Sequence, residues 1–110
     1  MTTFVSGRQA EAAAAAYLKN RGFKILDQNW RTRWCEIDIV AQKKNVVYFA
    51  EVKYRKSDAF GGGLDYITPK KLEQMTFAAE MWVSQHGWSG DYRLLAVSIN
   101  GDQIDLIEIV

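Results

Sequence analysis

Three charged residues stand in stretches of sequence that are otherwise apolar, where a charge is costly unless it is paired or bound to a metal. Glu51 and Lys53 end an apolar run, and Asp38 lies between two isoleucines. Because side chains alternate along a strand, Glu51 and Lys53 are predicted to share one face. Two acids and a lysine in this pattern favour the binding of a divalent cation next to a phosphate group.

The turn between the two strands decides whether the acids meet. If the hairpin turns between Lys44 and Asn45, Asp38 falls opposite Glu51, whereas a slip of one residue breaks that register. Two carboxylates that face each other across strands repel, and a divalent cation removes the repulsion. Hard oxygen ligands suit Mg²⁺ or Mn²⁺, and the backbone carbonyl of Val52 could complete the ligands that the protein supplies.

Two further acids are candidates for the same site. Glu11 shares a helical face with two alanines and Leu18, and an acid on a buried stripe is unusual unless it is paired or faces a metal. The plainer alternative for Glu11 is a first-turn acid favoured by the helix dipole. Glu36 precedes Asp38 by two residues and so shares its face in a regular strand. It is either a nearby acid or an exposed strand residue.

Several basic side chains flank the predicted site in sequence: Arg31, Arg33, Arg55, Lys56, Lys70 and Lys71. They could bind phosphates, although basic residues in loops and helix starts are more often plain surface. Trp34 stands beside the acidic strand, where it could stack on a base. Packing is the more usual role, and we expect it here. His86 at a helix end is interpreted as structural, and Cys35 has no partner at zinc spacing.

The elements that must position these residues are predicted in the order α-β-β-β-α-β-β. Helix formers run from Arg8 to Arg21, and Thr68-Pro69 opens a second helix that Gly87 ends. Apolar and alternating segments predict strands at 24–30, 36–41, 46–53, 93–99 and 103–109. A turn at Asn100-Gly101 joins the last two strands, and segment 57–65 is predicted to be a flexible loop. We expect an α/β fold in which two helices flank a mixed central sheet.

Length and composition limit the class of protein. The 110 residues, 48% of them hydrophobic, predict a single domain over residues 1–110 with one core. With 14 basic and 13 acidic residues, the charge is not that of a protein that coats nucleic acid non-specifically. Any such contact requires a local patch or a bound metal. One cysteine, no signal-peptide pattern and no long apolar stretch predict a cytoplasmic protein without a membrane partner.

The charged residues also carry a resemblance to known nucleases. Asp38-x12-Glu51-Val52-Lys53 resembles the PD-(D/E)xK signature of restriction-endonuclease-like proteins. Four ordered blocks resemble the YraN family, which is grouped with Holliday-junction-resolvase-like endonucleases: Gly7-Arg8-x-x-Glu11, 36–41, 49–55, and Phe60-Gly61 with Ile67-x-x-Lys70. That family usually has a glycine just before the Glu-Ile-Asp triplet. This chain has Trp34-Cys35 there, a departure that bears on the substrate rather than on the fold.

The resemblance implies a Mg²⁺-dependent endonuclease that hydrolyses phosphodiester bonds in DNA. By analogy with the resolvases, the DNA would be branched or nicked and the protein a homodimer. Asp38 and Glu51 would bind the metal, with Glu11 as a further or water-mediated ligand. Lys53 would orient the attacking water or stabilise the developing charge.

Two other classes of protein stay open from the sequence. A catalytically inactive module could bind nucleic acid or a protein in the same cleft, and the near-neutral charge slightly favours it. The intact acids and lysine favour the enzyme instead. A scaffold whose acids merely pair with Lys53 and arginines would leave no space beside Asp38 for an ion and a phosphate. RNA is an alternative substrate, because no residue is a recognisable reader of a 2′-hydroxyl.

Overall fold

Two helices and five strands follow one another in the predicted order α-β-β-β-α-β-β. The computed structural model describes residues 7–55 and 67–109. Its elements are α1 (Gly7–Asn20), β1 (Lys24–Arg31), β2 (Glu36–Lys43), β3 (Val46–Arg55), α2 (Pro69–His86), β4 (Asp91–Asn100) and β5 (Gln103–Glu108). The predicted α/β class is confirmed. The predicted loop at 57–65 and Lys56 lie outside the described residues.

The five strands form one mixed sheet in the order β1-β2-β3-β4-β5. Strands β3 and β4 are parallel, and the other neighbouring pairs are antiparallel. Strand β3 is therefore central, which explains why Val47, Phe49 and Ala50 are all buried and why its sequence is apolar on both faces. A mixed sheet of this kind was predicted.

The core has two layers, one under each helix. Helix α1 packs on Ile39, Ala50 and Val97, while α2 packs on Phe49 and other residues of the sheet. The two helices therefore cover different faces of the sheet. Among the described residues, neither helix is long and apolar enough to span a bilayer.

The alanine run of α1 is the close-packing face that allows this helix to approach the sheet. Ala10 and Ala14 are 1% and 0% exposed, and Leu18 is fully buried on the same stripe. Small side chains leave little room between helix and sheet, so the interface tolerates added volume poorly.

The signals at the ends of α2 are confirmed. The Thr68 hydroxyl accepts a hydrogen bond from the Lys71 N–H at 3.1 Å, and Pro69 occupies the first turn. Gly87 closes the helix with a left-handed φ of 65°, and its N–H bonds to the Val83 carbonyl.

The hairpin of β4 and β5 is confirmed, but the predicted turn at Asn100-Gly101 is wrong by one residue. Asn100 pairs with Gln103, so it belongs to the ladder and the two turn residues are Gly101 and Asp102. The left-handed conformation falls on Gly101, with a φ of 57°, which glycine adopts without strain. In the β2–β3 hairpin Lys43 pairs with Val46, so β2 extends to Lys43 and the two turn residues are Lys44 and Asn45.

The alanine face gives a stability prediction. We expect Ala14→Leu to lower the free energy of unfolding by about 1–3 kcal/mol, because the larger side chain has no room against the sheet. Ala16 is exposed on the same helix, so Ala16→Leu is the matched control and should change stability by less than about 0.5 kcal/mol. Urea denaturation measures both, and an equal effect of the two variants would contradict the packing described here.

Candidate functional site

The β2–β3 hairpin brings Asp38 and Glu51 to the same end of the sheet. The last pair of its ladder is Ile39 with Ala50, which is the register of a turn at Lys44-Asn45. The two acids come next, one on each strand. Beyond this pair, β2 remains paired only with β1, and β3 only with β4. The acids therefore lie where β2 and β3 separate.

Asp38 joins the two strands at the point where they part. Its Oδ2 atom accepts a hydrogen bond from the Val52 N–H at 2.8 Å. The side chain thus satisfies an amide of β3 just past the end of the β2–β3 ladder. Because the bond fixes one carboxylate oxygen, it also fixes the position of Asp38 relative to Glu51 and to the following residues of β3.

Strict alternation of side chains breaks at Asp38. Ile37 packs in the core layer of α2, whereas Ile39, two residues later, packs in the layer of α1. Because the alternation is broken at this point, a spacing of two residues does not place Glu36 on the same face as Asp38. Glu36 is exposed, and its Oε1 atom lies 3.7 Å from Nη2 of Arg31. Glu36 is thus an exposed strand residue, and its charge also raises the pKa of Asp38.

Asp38 has an unusual electrostatic environment. Burial raises the pKa of Asp38 from 3.8 to about 6, against the opposing effect of the Val52 hydrogen bond. The nearby charges of Glu51, Glu11 and Glu36 raise this pKa further. Glu11, half-buried on α1, thus contributes to the field at the site, as its place on the alanine face indicated. The surroundings of Asp38 carry an excess of negative charge.

Glu51 is neutralised by two lysines. Its Oε2 atom lies 3.3 Å from Nζ of Lys53 and 2.9 Å from Nζ of Lys71. The Glu51 side chain is only 15% exposed and the two lysines 28% and 30%, so these ion pairs are screened less than surface pairs. The shared face of Glu51 and Lys53 was predicted from strand alternation. Lys71 was predicted only to bind nucleic acid, and its contact with Glu51 was missed.

The described residues do not form a ready-made metal cage. No three histidine, cysteine, aspartate or glutamate side chains within residues 7–55 and 67–109 stand together in a way that could hold an ion. Asp38 and Glu51 interact electrostatically. The two lysine ammonium groups already offset the charge of Glu51.

The other predicted basic residues are dispersed. Arg31, Arg33 and Lys70 are exposed, and the Arg33 guanidinium lies 5.2 Å from the centre of the Trp34 ring. Arg55 ends β3, but its side chain is outside the description, as is the whole of Lys56. Among the four of these six residues whose side chains are described, Lys71 is the one that contacts a predicted metal ligand.

An open groove of about 620 Å³ lies between the β1–β2 loop and the first half of α2, and Glu51 and Lys71 line it. Trp34 is also in its wall and is 67% exposed, so the expectation that Trp34 packs in the protein is wrong. Phe77, 46% exposed, lines the same groove and was missed. Phe77 lies off the helical face formed by the buried residues Met75, Ala78, Ala79 and Trp82, and this spacing could have identified it as an exposed ring.

His86 lies in a different cluster, on the last turn of α2. Its ring stacks on Trp82 at 4.0 Å, and its Nδ1 atom is 2.9 Å from the Trp82 carbonyl oxygen. The Trp82 indole N–H donates to Asp27 at 3.0 Å. These contacts agree with the structural interpretation of His86.

Comparison with known families identifies the chain. The model of a family described as "Uncharacterised protein family UPF0102" matches residues 10–109. The chain belongs to this family. It is the family indicated by the sequence blocks under the name YraN. A UPF0102 protein of Vibrio campbellii is 38% identical over 103 residues, which cover 91% of this chain and 84% of that protein. One from Sulfurihydrogenibium sp. is 37% identical, with 93% and 90% covered.

A solved structure shares the fold. The chain is similar to Hjc of Archaeoglobus fulgidus, described as a Holliday junction resolvase from an archaeal hyperthermophile, with a TM-score of 0.58. The similarity covers 93% of this chain and 76% of that chain at 18% sequence identity. At this identity it establishes the fold alone. The predicted architecture, a mixed sheet flanked by two helices in the order α-β-β-β-α-β-β, is confirmed and is shared with that structure.

The environment of Asp38 gives a pH prediction for the metal-free protein. Its pKa is about 6 in the folded chain against 3.8 as the ordinary value, so ionisation of Asp38 destabilises the fold as the pH rises from 3.8 to 6. Asp38→Asn removes that charge and leaves an acceptor for the Val52 N–H. We expect the variant to be more stable than the wild type by on the order of 2 kcal/mol at neutral pH.

The difference should disappear below the ordinary aspartate pKa, where the wild-type carboxyl is neutral in both states. Chemical denaturation at several pH values, with EDTA present, measures it. The exposed Asp105 gives the control Asp105→Asn, which should show no such pH dependence. A variant less stable than the wild type at neutral pH would contradict this picture of Asp38.

Proposed function

We propose that this protein is a Mg²⁺-dependent endonuclease that hydrolyses phosphodiester bonds in DNA. The observation that carries the proposal is the meeting of Asp38 and Glu51 where β2 and β3 separate. Lys53 lies beside Glu51, and an open groove reaches that acid. The fold similarity to a Holliday junction resolvase supports the reaction class, and the family adds no named activity.

The donor set suits a hard divalent cation. Mg²⁺ commonly keeps several waters and is held by one or two carboxylates together with substrate phosphates, rather than by a cage made wholly of protein. Asp38 and Glu51 supply two carboxylates, and the excess negative charge around Asp38 favours a cation there. Under the proposal the carbonyl of Val52 and, directly or through water, Glu11 complete the protein side. Mn²⁺ is an acceptable substitute for Mg²⁺.

The bound ion would supply Lewis-acid polarisation of the phosphate and a more acidic water. The side chains do the positioning. Asp38, held by the Val52 N–H at 2.8 Å, is the fixed ligand. Lys53 is close enough to Glu51 to orient a water or to stabilise the charge that develops on the phosphate. Lys71 lies 2.9 Å from Glu51 and would be available to a phosphate if Glu51 held the cation instead.

Branched or nicked DNA and a homodimeric state are parts of the same proposal. They rest on the fold similarity to a protein described as a Holliday junction resolvase. Sedimentation of this chain as a strict monomer at high concentration would count against the dimer.

The rival is a catalytically inactive module that binds nucleic acid or protein on the same fold. The ion pairs of Glu51 with Lys53 and Lys71 favour this rival, because they satisfy the acid without any metal. A pure scaffold would also show such pairs, but it has no use for an open groove beside Glu51. Metal binding and cleavage separate these possibilities.

The direct test is titration calorimetry of Mg²⁺ and Mn²⁺, followed by cleavage assays on branched and linear DNA. We expect the wild type to bind metal and to cut, and Asp38→Asn and Glu51→Gln to lose both. Lys53→Ala should bind metal but cut roughly 10²–10³-fold more slowly, because it loses charge stabilisation in the transition state. Metal binding without cleavage by the wild type would favour the binding module. No metal binding, even with DNA present, would overturn the proposed site.

Lys71 gives a prediction that is independent of cleavage. Because its ammonium competes with a cation for Glu51, we expect Lys71→Ala to tighten Mn²⁺ binding several-fold in the absence of DNA. Lys70→Ala removes the same charge from an exposed neighbour and should leave the affinity nearly unchanged. Calorimetry measures the Mn²⁺ affinity of both variants. Equal affinities would show that Lys71 does not compete with the cation for Glu51.

A further inference from the structure

We infer that the groove between the β1–β2 loop and α2 binds an unpaired nucleotide of a DNA strand, with its base stacked on Trp34 and Phe77. This inference deepens the proposed function and rests on it for the identity of the ligand. It names the kind of DNA that the site accepts: a strand with an unpaired base next to the bond that is cut.

The position of the exposed aromatic rings is the first argument. Among the described residues, the large hydrophobic side chains left exposed are Trp34 at 67%, Phe77 at 46% and Tyr92 at 38%. Two of these three line one groove. They come from different elements, Trp34 from the β1–β2 loop and Phe77 from α2. Exposed aromatic surface gathered in one concave place marks a binding site rather than ordinary surface.

Continuity with the proposed metal site is the second argument. The groove that contains the two rings also contains Glu51 and Lys71, which lie 2.9 Å apart. A ligand that fills the groove can therefore contact the rings and also the acid with its lysine. A nucleotide has matching parts, because its base is a flat apolar face and its phosphate is an anion that a lysine and a metal attract.

Two basic side chains, Arg31 and Lys71, and three acids, Glu36, Glu51 and Glu73, line the groove, so its charge is nearly balanced rather than positive. Arg33 lies over the Trp34 ring at 5.2 Å, and a guanidinium on an aromatic face is a common platform for bases. Two of the acids in the groove are paired, Glu36 with Arg31 and Glu51 with two lysines. The exposed Glu73 is the third acid. The volume of about 620 Å³ lies within the range of small-ligand sites.

An apolar peptide or a second copy of the chain fits the groove less well. Either would cover the rings, but neither gives a role to Lys71 and Glu51, which line the same groove. An intact duplex also fits less well, because its bases are stacked on one another and offer no free face. Only an unpaired base exposes the surface that the two rings would bind.

The test measures strand binding without metal, in EDTA, so that no cleavage takes place. A short single-stranded oligonucleotide carrying 2-aminopurine is compared with the same sequence in a blunt duplex, by anisotropy and by 2-aminopurine fluorescence. We expect the wild type to prefer the single strand and to quench the probe. Trp34→Ala should weaken single-strand binding roughly 5- to 100-fold, the usual effect of losing one stacked base.

Three further variants separate stacking from a general effect. Phe77→Ala should also weaken binding, and Trp34→Phe should retain most of the affinity because a ring remains. Tyr92→Ala removes the third exposed ring, which does not line the groove, and should bind like the wild type. Thermal melting checks that each variant is folded.

Equal single-strand affinity of the wild type and Trp34→Ala would overturn the inference, as would failure of the wild type to bind a single strand. A dimer that dissociates on Trp34→Ala without any effect on DNA would assign the groove to a second copy instead. If single-strand binding depends on Trp34 but no metal-dependent cleavage is found, the groove inference is retained and the nuclease proposal is rejected. If the wild type cleaves DNA but Trp34→Ala binds the single strand as tightly as the wild type, the nuclease proposal is retained and the groove inference is rejected.

Discussion

The hydrogen bond from the Val52 N–H to Asp38 is the interaction on which the candidate site depends. Strands β2 and β3 separate after the pair Ile39–Ala50, and an amide at such a place needs a new acceptor. Asp38 supplies it at 2.8 Å. An apolar residue would close the core at this point but would leave the amide unsatisfied. The acid satisfies it, and burial then raises the pKa of Asp38 to about 6.

Negative and positive side chains near this bond partly offset one another, and a bound cation would alter their pairing. Three more acids add negative charge near Asp38, and Lys53 and Lys71 offset it by pairing with Glu51. Lys71 comes from α2, on the far side of a long connection, so the neutral state of the site depends on how that helix packs. The same helix carries Phe77 and forms one wall of the groove. The packing of α2 therefore sets both the charge of the acids and the shape of the space beside them.

Much of this arrangement was predictable from local patterns. The turn at Lys44-Asn45 fixed the register that puts Asp38 opposite Glu51, and strand alternation placed Lys53 beside Glu51. The remaining features depend on contacts between distant segments. The ion pair of Lys71 with Glu51 requires the placement of α2, and the exposure of Trp34 requires the path of a loop. Ile37 and Ile39 lie in different core layers because β2 and β3 separate between them. Regular alternation along a strand cannot predict such a separation.

The measurement that tests the central claim most directly is anomalous diffraction from crystals of the protein soaked in Mn²⁺. We expect an anomalous peak from a Mn²⁺ ion that is bound by carboxylate oxygens of Asp38 and Glu51, and we expect Lys71 to have moved away from Glu51. A structure without a peak there, in which Lys53 and Lys71 still hold Glu51 at saturating Mn²⁺, would contradict it. Asp38 would then serve only to accept the hydrogen bond of the Val52 N–H where the strands separate. The fold would have a function other than metal-dependent cleavage.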